Sequence, residues 1–124
     1  MIDFENKKVF KLTAEKPEKG FEAVEELLIP NETVIDSFVS VRDRLVFTDK
    51  RIISINVQGV TGKKKDFTSI PYKNIQTFSV ETAGFFDLDA ELTIHVSSIG
   101  MITFQLFGSK HIKMLCEAIA ERIL

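Results

Sequence analysis

The apolar positions along this chain change their period twice. Phe21, Val24, Leu27 and Leu28 recur at helical spacing, with Glu22, Glu25 and Glu26 between them. The pattern predicts an amphipathic helix over residues 17–28, opened by Pro17 and Glu18 and closed by Pro30 and Asn31. Gly20 weakens that helix by about 1 kcal/mol relative to alanine. From Val34 the period is that of strands. Ile53, Ile55 and Val57 alternate with Ser54 and Asn56; Leu88, Ala90, Leu92 and Ile94 alternate with Asp87, Asp89, Glu91 and Thr93. Runs at 34–41, 45–48, 52–57, 63–70, 75–82, 88–94 and 102–106 give about seven strands. They are punctuated by Arg42-Asp43, Asp49-Lys50, Gly59 with Gly62, Pro71, Gly84 and Gly100. Ser109 is then a plausible N-cap for a helix whose stripe is Ile112, Leu115, Cys116, Ile119 and Ile123. Residues 1–12 contain Ile2, Phe4, Val9, Phe10 and Leu12, which fit no single period.

A sheet of this many short strands must curl or split, and a helix with one apolar stripe can plug the open end. The expectation is a mainly β, PH-like (pleckstrin-homology-like) split barrel of about seven antiparallel strands, capped by a C-terminal α-helix, with a short N-terminal helix. Residues 1–29 are read as an N-terminal helical extension and 30–124 as the domain proper.

Particular motifs, in order, carry a resemblance. They are Arg42-Asp43, Val46-Phe47-Thr48-Asp49-Lys50-Arg51-Ile52, Gly59-Val60-Thr61-Gly62-Lys63-Lys64, Ile70-Pro71-Tyr72, Ala83-Gly84 and Asp87-Leu88-Asp89-Ala90-Glu91-Leu92. Over roughly residues 30–107 the chain resembles the bacterial pleckstrin-homology-like domain family. The resemblance implies seven strands with a capping helix. It also implies cyclic rings of protomers, with a five-fold ring as the expected size and a hydrophilic surface where strands of neighbouring subunits meet. It implies no reaction.

Composition narrows the functional classes. A formal net charge of −2 over 124 residues argues against nucleic-acid binding, which needs a basic excess. The single cysteine, Cys116, excludes an internal disulfide and suits a reducing compartment. The opening MIDFENKKVFKL lacks the apolar core of a secretory signal, and no apolar run is long enough to span a membrane, so a cytoplasmic location is expected. Eleven Phe, one Tyr and no Trp suit core filling or a dry subunit contact.

No catalytic constellation emerges. Gly59 and Gly62 are too close, and Lys63 is followed by Lys64, so the phosphate-loop spacing is not met. Asp87, Asp89 and Glu91 would share one strand face; without companion ligands they read as a solvated or partner-facing surface rather than a metal site. His95 and His111 have no nucleophile placed beside them by the sequence, and Cys116 lies in a buried stripe. The basic group Arg42, Arg44, Lys63, Lys64 and Lys65 gathers at one end of the sheet, with Asp43 and Asp66 interleaved. Phe85 and Phe86 are adjacent beside a turn, so one of them points outward as a candidate subunit contact. The leading reading is a non-enzymatic scaffold without cofactor or metal, partnered by itself and by a further protein. The alternative is a lipid-headgroup or membrane-surface binder through the basic end.

Overall fold

The computed structural model describes residues 9–82 and 88–124. Strand β1 (Val9–Glu15) leads into helix α1 (Pro17–Val24) and a 3-10 turn at Glu25–Leu27. A four-strand meander follows: β2 (Val34–Val39), β3 (Asp43–Thr48), β4 (Arg51–Gln58) and β5 (Lys64–Pro71). After a 3-10 turn at Tyr72–Asn74 come β6 (Ile75–Thr82), β7 (Ala90–Val96), β8 (Gly100–Phe107) and helix α2 (Ile112–Ile123). The strands form one eight-stranded sheet in the order β5-β4-β3-β2-β1-β8-β7-β6. It curls into a half-barrel around a core shared by both halves, with α2 packed into it through Ile112, Leu115, Ala118 and Ile119.

The strand beyond those that the alternation predicts is β1. Phe10 and Leu12 are buried while Lys11 and Thr13 are exposed, so residues 10–13 do alternate. β1 pairs antiparallel with β2 through Thr13–Glu15 and parallel with β8 through Val9–Thr13. It is the seam that joins the two meanders. Phe10 stacks obliquely on Phe104 of β8, and the Phe38 and Phe47 rings of β2 and β3 meet edge to face.

The other differences are local. The α-helix at the N-terminus stops at Val24, and its buried residues are Gly20 and Val24, whereas Phe21 and Leu27 are exposed. Gly20 sits against the sheet so closely that a Cβ there would lie 2.5 Å from Ser37 Cβ and 2.6 Å from its Oγ. The glycine that lowers helix propensity is what lets the helix lie on β2. Val24 then closes a second, smaller core with Val46, Ile53 and Ile55 on the outer face of the sheet. Ser109 is not the N-cap of α2; that position is His111, whose amide donates to Ser109 Oγ at 3.0 Å. Gly59 and Gly62 have φ of 80° and 68°, as the β4–β5 turn requires.

The packing at Gly20 makes an opposed prediction. Propensity says Gly20→Ala should gain about 1 kcal/mol, but the added methyl has no room, and overpacking costs about 1–3 kcal/mol. Because Ser37 Cβ is fixed to a central strand, the clash is expected to win. Gly20→Ala should lower the thermal midpoint by several degrees; a raised midpoint would mean that α1 can lift off the sheet without loss.

Candidate functional site

The motif Thr48-Asp49-Lys50-Arg51 is the best-tied stretch of the chain. Thr48 Oγ1 accepts from the amides of Lys50 and Arg51, both at 3.0 Å, which fixes the β3–β4 turn. The same hydroxyl donates at 2.7 Å to Glu32 Oε2. Arg51 meets Glu32 with two parallel bonds of 2.9 Å and donates further to Leu27 O at 2.7 Å and Ser69 Oγ at 3.0 Å. The Glu32 side chain is wholly buried. Burial alone would raise its carboxyl, but the bonds from Arg51, Thr48 and the Ile29 amide, with the Arg51 charge, outweigh that and hold it below the ordinary range. The sole tyrosine, Tyr72, donates to Thr48 O at 2.6 Å from full burial, and that burial holds its phenol well above its ordinary value. Every member of this cluster is committed to the fold.

The basic end is partly committed as well. Arg44 forms a bidentate pair with Glu15 (2.7 and 3.1 Å), and Ser37 Oγ donates to the same carboxylate at 2.6 Å. Arg42 donates to Gly59 O at 3.0 Å and so braces the β4–β5 turn, while Asp43 is buried and accepts from Asn56 at 2.9 Å. Lys63, Lys64 and Lys65 are exposed. The structure brings Arg42, Arg44 and Lys65 to the rim of a cavity of about 190 Å³ floored by Val39, Ile55, Val57 and Phe67. Lys63 and Lys64 are not in its lining.

The acidic face is arranged differently from the expectation. β7 begins at Ala90, so Asp89 precedes the strand, and Leu88 is half exposed rather than buried. The reason is a local bond: Asp89 Oδ1 accepts from the Gly108 amide at 2.9 Å, which ties the entry of β7 to the exit of β8. Asp87, Phe85 and Phe86 lie outside the described residues. Asp89 and Glu91 line an open groove of about 440 Å³ with Glu81, which stands directly opposite Glu91 across the β6–β7 pair. Among the described residues no group of three His, Cys, Asp or Glu side chains could hold a metal ion.

One arrangement invisible in the sequence has the residue types of a hydrolase. Ser109, Asp36 and His111 meet beside α2. Their connectivity is wrong for that chemistry, since Ser109 Oγ donates to Asp36 rather than to a histidine base and is itself buried. Asp36 is a strap between β2 and the start of α2, across 73 residues of chain. Cys116 is half-buried, and burial pushes its thiol up, away from the reactive thiolate.

The model of the bacterial PH domain matches residues 3–123. This chain belongs to the bacterial PH-domain family. The crystal structure of a DUF1696 family protein with a pleckstrin-homology domain from Shewanella loihica PV-4 is 34% identical, with a TM-score of 0.70 over 93% of this chain and 99% of that one. The pleckstrin homology domain from Shewanella amazonensis SB2B is 40% identical, with a TM-score of 0.56 over 89% and 90% of the two chains. The uncharacterized protein YjqA of Bacillus subtilis (strain 168) is 57% identical over 76 residues, which is 61% of each chain. Among the described residues no helix of this PH domain is long and apolar enough to cross a membrane.

The Glu32–Arg51 pair generates a pH prediction. Because the carboxyl is lowered in the folded state, its stabilisation is fully present above the unfolded value, about 4.3, and is lost as pH falls through the lower folded value. Glu32→Gln should destabilise the domain by about 3 kcal/mol at neutral pH, since Arg51 loses its counter-charge. It should also flatten the acid limb of stability against pH. Chemical denaturation across pH 3–7 reads both; an unchanged acid limb would place the acid-labile contact elsewhere.

Proposed function

We propose that this bacterial PH domain is a non-enzymatic interaction scaffold that assembles into a cyclic homo-oligomer. The observation that carries the reading is the polarity of the sheet's two ends. β5 and β6 are its terminal strands, both of eight residues. β5 begins with exposed Lys64 and Lys65; β6 carries exposed Glu81, with Glu91 beside it. A ring needs one patch to meet a different patch on the next copy, and strands of opposite charge meet that need. Set antiparallel between copies with Ile70 opposite Ile75, the strands would bring Lys64 opposite Glu81. The ring size expected from the family resemblance is five, and Phe85 and Phe86, in the β6–β7 connection, are candidates to extend the contact.

Lipid-headgroup binding is less well supported. Of the two arginines at the basic end, Arg44 is neutralised by Glu15 and Arg42 is engaged with carbonyl oxygens. A headgroup phosphate, which is held by several convergent cations, would meet only Arg42 and Lys65 without a carboxylate partner there, since Lys63 and Lys64 lie outside the cavity lining. Catalysis is less well supported too: among the described residues, Ser109 donates to Asp36 rather than to a histidine base.

Light scattering coupled to chromatography tests the assembly. The chain should run well above monomer mass, and Phe86→Glu or Glu81→Lys should reduce that mass while the circular dichroism stays unchanged. A concentration-independent monomer would overturn the ring. Assembly unaffected by Glu81→Lys would remove the sheet-end contact, and assembly unaffected by Phe86→Glu would remove the turn.

A further inference from the structure

The ring reading uses the ends of the sheet and leaves its outer face beside α1 without a role. Two of the cavities there share Ala23 and Phe67. The first, of about 190 Å³, is the basic one described above. The second, of about 360 Å³, runs along α1 and the following 3-10 turn past Val24 and Leu27 and is rimmed by Glu22, Glu25 and Glu26. Together they make a groove along β5 with Phe67, 42% exposed, at its middle.

We infer that this groove receives an extended peptide segment of a protein partner, with an apolar residue over Phe67, acidic residues toward Arg42 and Lys65, and basic residues toward Glu22, Glu25 and Glu26. The charge pattern is the first argument. The three glutamates are exposed and form no ion pair among the described residues. At the other end Lys65 is likewise exposed, and the bonds Arg42 makes go to backbone carbonyls rather than to a carboxylate. Arg44 is already balanced by Glu15, and Asp43 by its burial against Asn56 adds no open acceptor at the rim. The groove is therefore a dipole, negative by α1 and positive by the β2–β3 turn, and a uniformly charged surface such as an anionic bilayer matches only one half of it. The dimensions are the second argument. Cavities this small cannot seat a helix about 10 Å across, whereas an extended segment of about five residues, roughly 17 Å long, can run past Phe67 from one cavity into the other. Exposed aromatic residues such as Phe67 are also of the type enriched at protein interfaces.

This rests on the reading of the domain as an interaction module but not on the ring. The probes are fluorescein-labelled peptides of about nine residues with a shared Val-Thr-Leu-Thr-Val centre, flanked by glutamates on one side and lysines on the other, by glutamates on both, or by lysines on both. Fluorescence anisotropy with the full chain should show the bipolar peptide binding at least about tenfold tighter than either uniform one, and weakening with salt. Phe67→Glu should abolish that binding and Lys65→Glu should weaken it, with thermal midpoints within a few degrees of the unsubstituted protein. If Phe67→Glu disturbs the fold, Phe67→Thr, a good strand former, serves in its place. Light scattering on the same samples reads the ring separately, so a monomer that binds the bipolar peptide would sustain this inference while removing the ring. Failure of the bipolar peptide to bind, equal binding of the all-glutamate peptide, indifference to Phe67, or Lys65-dependent binding to phosphatidylserine vesicles that competes with the peptide and ignores Phe67 would each overturn it.

Discussion

The structure depends on one strand pairing, the parallel ladder between β1 and β8. Every other neighbouring pair in the sheet is antiparallel. Two meanders, β2–β5 and β6–β8, would each leave an apolar face uncovered. β1 lies between them, buries Phe10 and Leu12 in the shared core, and makes one curled sheet of two halves. Parallel strands need a long crossover, and here the intervening chain is the whole of α1 through β7. This ladder is the most non-local of the strand pairings in the sheet.

Around that seam the polar groups divide into those that hold the fold and those that stay at the surface. Glu15 with Arg44, Glu32 with Arg51, and Asp36 with Ser109 each bridge elements far apart in sequence. Buried charge is tolerated only with paired, hydrogen-bonded geometry, and each of these carboxylates accepts more than one bond. Among the described residues no buried side-chain nitrogen or oxygen is left without a partner. Other ionic groups, among them Arg42, Lys63–Lys65, Glu22, Glu25, Glu26 and Glu81, stay exposed at the surface.

The motifs that identify the family turn out to be largely structural. In Thr48-Asp49-Lys50-Arg51, the threonine, arginine and surrounding amides bind one another and Glu32. In Ile70-Pro71-Tyr72, the proline ends β5 and the tyrosine inserts its hydroxyl beneath the β3–β4 turn. These residues specify a turn geometry, and they identify a fold without pointing to a ligand.

The sequence by itself determined the local periods. Alternation located seven strands and the 3.6-residue stripe located α2, because both signals are carried by neighbours along the chain. The turns at Gly59 and Gly62 were legible for the same reason: positive φ selects the residue directly. β1 was not legible, since its few alternating residues are set among other apolar positions and its meaning lies in a partner over 90 residues away. Gly20 read as a defect because propensity sees only the helix, whereas its cause is the closeness of Ser37. The basic end looked like a free cluster of five cations until Glu15 and Gly59 were brought to its arginines, and Asp89 looked like a strand residue until Gly108 claimed its carboxylate. Which charges are neutralised is a matter of distances between remote segments, and only the tertiary structure sets those.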